Sequence, residues 1–208
     1  GVTARGRGLK FINLVVHDMT NGFGLWADAV DAEAHGNIAY YNGWQAPDRA
    51  HGHGFYTQNQ TGHQRVSDNI AFGQFSHGFH SYGSDAAFLN NITLEGNIAF
   101  NNGNISKDGP AREILLGGGS LAENPVVKDN STYGNAQVNF GYSGGCSNAD
   151  VSGNYLVGSG VFVVKCQGLI RGNTMYSLYG LGSLPTTYTD NTFYGTLPAG
   201  LVVRVRPN

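Results

Sequence analysis

A recurring Gly/Asp-Asn-apolar segment, unequal distances between its copies, and a Gly-rich, charge-poor composition predict a single right-handed parallel β-helix over residues 1–208. The segment reads Gly36-Asn37-Ile38-Ala39-Tyr40, Asp68-Asn69-Ile70-Ala71-Phe72, Gly96-Asn97-Ile98-Ala99-Phe100 and Asp129-Asn130-Ser131-Thr132-Tyr133. It continues as Gly153-Asn154-Tyr155-Leu156-Val157, Gly172-Asn173-Thr174-Met175-Tyr176 and Asp190-Asn191-Thr192-Phe193-Tyr194, and a degenerate eighth copy is read at Phe11-Ile12-Asn13-Leu14-Val15. Successive anchor asparagines lie 32, 28, 33, 24, 19 and 18 residues apart. A minimal unit lengthened by inserted loops is what a solenoid tolerates, because each coil touches only its neighbours.

Each element follows from the residues in it. Asn and Gly are poor helix interiors, and no segment holds a 3.6-residue apolar period, so helical repeats are excluded. Asn suits a tight corner because it tolerates left-handed backbone and its amide satisfies local peptide groups. Stacked coils bring such amides within about 4.8 Å, close enough for a hydrogen-bonded asparagine ladder. The short apolar runs that follow each Asn are strand-sized, giving an all-β solenoid of about seven to eight coils.

Composition bounds the function. Charged residues make up 12% of the chain, against roughly 25% in an ordinary globular domain. Aromatics also reach 12%, which supplies the apolar surface needed to offset ordering entropy. A formal net charge of -2 without any Lys/Arg run leaves no footprint for nucleic acid or an anionic membrane. No apolar stretch approaches the roughly 18 residues that a spanning segment needs, so no membrane insertion is expected. The chain opens at Gly1 without Met, which fits a processed secreted or cell-surface protein, or a fragment of a larger secreted one.

With these anchors, the chain resembles the pectate-lyase-like right-handed β-helix superfamily, which includes polysaccharide lyases, polygalacturonases and tailspike proteins. The resemblance spans nearly the whole chain and implies three parallel sheets per coil with a substrate groove along one of them. Gly52-His53-Gly54-Phe55-Tyr56 is similar to the Gly-His-Gly that opens a strand in polygalacturonases, where the His lies beside catalytic acids. Those enzymes add a pair of adjacent Asp residues from the preceding coil, where this chain has Asn21-Gly22-Phe23-Gly24.

A second repeat precedes the anchors. Phe23-Gly24-Leu25-Trp26-Ala27-Asp28 aligns with His53-Gly54-Phe55-Tyr56-Thr57-Gln58 and His77-Gly78-Phe79-His80-Ser81-Tyr82, and more distantly with Arg112-Glu113-Ile114-Leu115-Leu116-Gly117. Strand alternation turns Leu25, Phe55, Phe79 and Ile114 inward, and Trp26, Asp28, Tyr56, Gln58, His80 and Tyr82 outward. Outward aromatics on adjacent coils form a platform for sugar rings, walled by loops 41–52, which carries Asp48, Arg49 and His51, and 101–111. His53, His77 and Arg112 enter each strand beside it.

These residue types suit β-elimination of a uronate-containing polysaccharide. Such chemistry needs a cation or donor for the sugar carboxylate, a base for the carbon-bound proton and an acid for the leaving oxygen. His53, His77 and Arg112 answer the first need, and His80, Tyr56 and Tyr82 the other two. Glycoside hydrolysis wants two carboxylates at a set separation, and the groove offers Asp28 and Asp48. The competing reading is a non-catalytic glycan-binding, adhesive or structural segment. No cofactor is required; among metals calcium ranks ahead of zinc, with Asp28, Asp31 and Glu33 as oxygen ligands. Cys146 and Cys166 sit at nearly the same place in adjacent coils and are read either as a disulfide or as two stacked thiols.

Overall fold

The computed structural model describes residues 1–134, 136–181 and 186–195. They form a parallel β-helix in which every strand pairing is parallel apart from one small hairpin, Trp44–Gln45 with Ala50–His51. Three columns of short strands make its sides. The site sheet holds Val2–Ala4, Phe23–Leu25, Phe55–Thr57, Phe79–Ser81, Arg112–Leu116 and Gln137–Phe140. The charged sheet runs from Lys10–Ile12 and Glu33–His35 through Gln64–Ser67, Ile92–Glu95 and Val126–Lys128 to Cys146–Ser152, Cys166–Arg171 and Thr186–Thr189. The aromatic sheet holds Val15–His17, Ile38–Tyr40, Ile70–Phe72, Ile98–Phe100 and Ser131–Tyr133. Tyr155–Val164 and Thr174–Leu181 run through two sides without a break, so the site and aromatic columns merge there into one 14-stranded sheet.

The anchor corner divides its work between two residues. The Gly or Asp takes the left-handed conformation, with φ of 66° at Gly36, 56° at Asp68 and 55° at Asp129, which corrects the expectation that Asn itself does so. The Asn that follows is buried, and its backbone N–H and Nδ2 both donate to the Oδ1 of the next coil's Asn. Asn37 gives 2.8 and 2.9 Å to Asn69, and the pattern repeats through Asn97, Asn130, Asn154 and Asn173 to Asn191. The degenerate eighth copy is shifted by one. Asn13, with φ 54°, occupies the Gly/Asp position, and the Leu14 N–H donates to Asn37 Oδ1, which ends the ladder.

Inside, each side contributes one column. Phe23, Phe55, Phe79, Ile114, Val138, Val161 and Leu178 stand in register on the site sheet, with Phe23–Phe55 and Phe55–Phe79 rings stacked at 4.7 and 5.0 Å. The aromatic sheet sets small Ala39, Ala71 and Ala99 inward. Large rings against small side chains let a narrow coil pack without voids, at about 1.5 to 3 kcal/mol for each large side chain removed from water.

The expected alignment of the first site strand is offset by two residues. Phe23, not Leu25, pairs with Phe55, and Leu25 pairs with Thr57. An even offset keeps every side chain on its expected face, because strand parity is two. The cysteines are register partners, joined as a disulfide with a Cα–Cα distance of 4.4 Å.

Candidate functional site

A cleft of about 420 Å³ opens on the site sheet. Its floor is His53, His77, His80, Arg112 and Leu115, its far side Tyr82 and Tyr142, and its roofed edge the two long loops, through Arg49, Ala50 and His51 and through Ser106, Asp108 and Ala111. The loops hold each other. Gln45 Oε1 accepts from the Lys107 N–H at 2.9 Å, and the Asp108 carboxylate accepts from the Ala50 N–H. They arch over the short corner between their coils, where Phe75 and Ser76 line the cleft.

The corner leading into the site sheet builds the floor. At this corner a side chain on one coil accepts the backbone N–H of the next. Asn21 Oδ1 accepts from His53 at 3.0 Å, His53 Nδ1 from His77 at 3.2 Å, and His77 Nδ1 from Arg112 at 3.1 Å. The two imidazoles therefore stand parallel, 5.1 Å apart with a 10° interplanar angle. His80 lies across them at 4.1 Å from His53 and 4.4 Å from His77, so that each ring brings a nitrogen within 4.8 Å of the other two. It is 6% exposed, and its buried Nδ1 has no hydrogen-bond partner.

All three imidazoles are uncharged at neutral pH. Burial away from water is the first cause in each case, reinforced for His77 by the Arg112 and Arg49 guanidiniums and for His53 and His80 by their imidazole neighbours. His77 is pushed down to about 3, and His53 and His80 well below the ordinary histidine range. Positive charge lies beside them in the cleft lining. Arg112 donates through Nε to Asn139 Oδ1 at 3.3 Å, and among the described residues neither Arg112 nor Arg49 has a carboxylate partner.

The remaining expected residues separate. Tyr56 meets His80 edge-on at 5.0 Å and Trp26 at 5.1 Å, which continues the aromatic wall beyond the cleft, and burial pushes its phenol up. Tyr82 stacks on His80 at 4.9 Å and meets Tyr142 edge-on at 5.6 Å. Gln58 braces this wall, donating to the Tyr82 carbonyl at 3.0 Å and to the Tyr56 hydroxyl at 3.4 Å. Asp28 is exposed, paired with Arg5 and outside the cleft lining, because it follows the two-residue offset of its strand. Asp48 is likewise exposed and engages His51 at 3.0 Å, and it is Arg49, Ala50 and His51 of that loop that line the cleft.

The oxygen ligands considered for calcium do not gather. Asp28 pairs with Arg5, Asp31 with Arg7, and Glu33 with Lys10 and Arg65, so each carboxylate is already neutralised at a different place on the surface. Among the described residues, the grouping with metal-ligand spacing is His53, His77 and His80 instead. Tyr142 and Asp108 were absent from the expected set. Aligning Leu116-Gly117 with Phe140-Gly141 would have placed Tyr142, whereas Asp108 sits in a loop whose path no local pattern specifies.

A second polar ladder also escapes the repeat. Asn42 donates to Gln74 Oε1 at 3.0 Å, the Gln74 N–H donates to Asn102 Oδ1 at 3.1 Å, and Asn102 ends on the carboxylate of Glu113, inside the coil. Burial pushes Glu113 up to about 7. No family model matches the chain, and comparisons with curated proteins and with solved structures return no match.

Proposed function

We propose that this chain is a secreted or cell-surface carbohydrate-active protein whose cleft holds an acidic residue of a uronate-containing polysaccharide and cleaves the chain by β-elimination. One observation carries the reading: two guanidiniums that have no carboxylate partner among the described residues line one cleft with uncharged imidazoles, beside an aromatic wall. A sugar carboxylate would find Arg112 and Arg49 as counter-charges in a partly desolvated cleft, where such attraction is strongest. Neutralising that carboxylate acidifies the proton on the adjoining carbon. His80, uncharged and lining the cleft, is the group to accept it, and Tyr82 or Tyr142, whose hydroxyls make no hydrogen bond among the described residues, can protonate the departing oxygen. Trp26 and Tyr56, both half-buried beside the cleft, extend the site for neighbouring sugars.

Glycoside hydrolysis is less well served. Asp108 is the single carboxylate lining the cleft among the described residues, and it is held by the Ala50 N–H, while Glu113 faces the coil interior. The test is a panel of uronate polymers, followed by the ultraviolet absorbance of the unsaturated product and by binding in parallel. Product that disappears in His80→Ala supports the lyase. Binding without product, weakened by Trp26→Ala, would instead make the chain a non-catalytic glycan-binding module.

A further inference from the structure

Three histidines whose nitrogens approach within 4.8 Å have the outline of a transition-metal site. Their hydrogen bonds contradict it. A metal-ligating imidazole almost always gives its second ring N–H to an acceptor, which leaves a lone pair for the metal. His53 and His77 do the reverse, since the Nδ1 of each accepts a backbone N–H at 3.2 and 3.1 Å. In an uncharged imidazole the accepting nitrogen bears no proton, so Nε2 carries it. Neither Nε2 has a partner among the described residues, and neither is sealed from the cleft. The floor therefore presents two parallel N–H donors where a metal would need two lone pairs.

We infer that His53 and His77, with Arg112, form a metal-independent subsite for one oxyanion, a carboxylate or a sulfate. This rests on the proposed binding of an acidic glycan and specifies which atoms hold the acidic group. Two donors on rings 5.1 Å apart are close enough to share the oxygens of a single carboxylate or sulfate, and the Nη groups of Arg112, which have no partner among the described residues, add the charge. The backbone amides behind the rings set the proton on the cleft side before any ligand arrives, so no tautomer change is needed on binding.

Asn21 supplies the control. It occupies the same corner one coil earlier and accepts the His53 N–H through Oδ1, so His53→Asn and His77→Asn keep the ladder while withdrawing the donor from the Nε2 position, the shorter side chain holding its amide N–H groups back at the corner. The experiment is calorimetric titration of the full chain and both variants with sodium sulfate, a galacturonate oligomer, its carboxyl-reduced counterpart and zinc ion, each alone. A nitrogen-15 correlation spectrum of the histidine rings accompanies it. The expected result is protonated Nε2 and bare Nδ1 at both positions, an unchanged melting temperature in the variants, and about tenfold weaker binding of the oxyanion per lost donor. The carboxyl-reduced oligomer should be indifferent to both substitutions. Binding of sulfate alone would support the subsite and assign it to sulfated glycans, against the uronate reading. Uronate binding unchanged in both variants would overturn the subsite and leave that reading intact. Protonated Nδ1, zinc binding lost in the variants, or binding of neither oxyanion would overturn the subsite outright.

Discussion

Two outward columns of rings climb the same solenoid and differ in how the rings meet. On the aromatic sheet, His17, Tyr40, Phe72, Phe100 and Tyr133 stack face to face at 4.7 to 5.2 Å with interplanar angles of 2° to 11°. On the site sheet, Trp26, Tyr56 and His80 meet at 54° and 70°. A face-to-face column covers its own π faces and shows solvent only edges, so it stabilises the coils and offers little to a sugar ring. The tilted column is met from its sides instead: His53 stacks on Tyr56 at 5.4 Å, Tyr82 on His80 at 4.9 Å, and the Arg5 guanidinium lies 5.7 Å over Trp26. The regular column is thus self-contained, whereas the tilted one is tied to the histidines and tyrosine that line the cleft, although both columns use the same strand spacing.

That contrast is open to direct attack. His80→Ala should lower product formation by about 100-fold or more, as loss of a proton-transfer group does, with the fold retained. Phe72→Ala should leave product formation untouched; if instead it cuts activity as His80→Ala does, the division between the columns fails.

Glu113 yields the next largest effect. It belongs to the site strand Arg112–Leu116 with its side chain buried inside the coil, and its carboxyl is raised from 4.5 to about 7 by burial. An acid whose folded value lies above its unfolded one binds its proton more tightly when folded, so stability is full below about pH 4.5 and is lost as pH climbs towards 7. At about 1.4 kcal/mol per pH unit, this amounts to about 3 kcal/mol across that window. Glu113→Gln, which places beside Asn102 the same amide that Gln74 offers Asn42, should flatten the pH profile of the melting temperature.

Smaller effects sharpen the structural side. Phe72→Ala removes a half-buried ring between Tyr40 and Phe100 and should cost about 1 to 2 kcal/mol in chemical denaturation. Arg65→Ala, in the Lys10-Glu33-Arg65-Glu95-Lys128 network of the charged sheet, should cost under about 1 kcal/mol, because its members are partly exposed and screened.

The fold was legible because its determinants are local and repeated. A left-handed Gly or Asp followed by a buried Asn leaves the same two-letter mark on every coil, whatever the loop length. Register was less legible where the mark weakens. Matching Trp26 to Tyr56 as aromatics moved the first strand by two residues, although Asn21-Gly22-Phe23, His53-Gly54-Phe55 and His77-Gly78-Phe79 share the Gly-Phe that sets the pairing. The site was half legible. The rings could be assigned to one wall from strand parity, but that His53 and His77 replace Asn21 in a corner ladder depends on side chains meeting across coils 24 to 35 residues apart. The second ladder stayed hidden because Asn42, Gln74, Asn102 and Glu113 mix three residue types and have in common only amide or carboxylate oxygens at one position.

The most direct test of the account is paired titration of the intact chain with a galacturonate oligomer and with the same oligomer after its carboxyl groups are reduced to alcohols. Binding of the acidic form at least about tenfold tighter, with the advantage shrinking as salt is added, is the expected result. Equal affinity for the two forms would contradict the claim that this cleft is built around an acidic group.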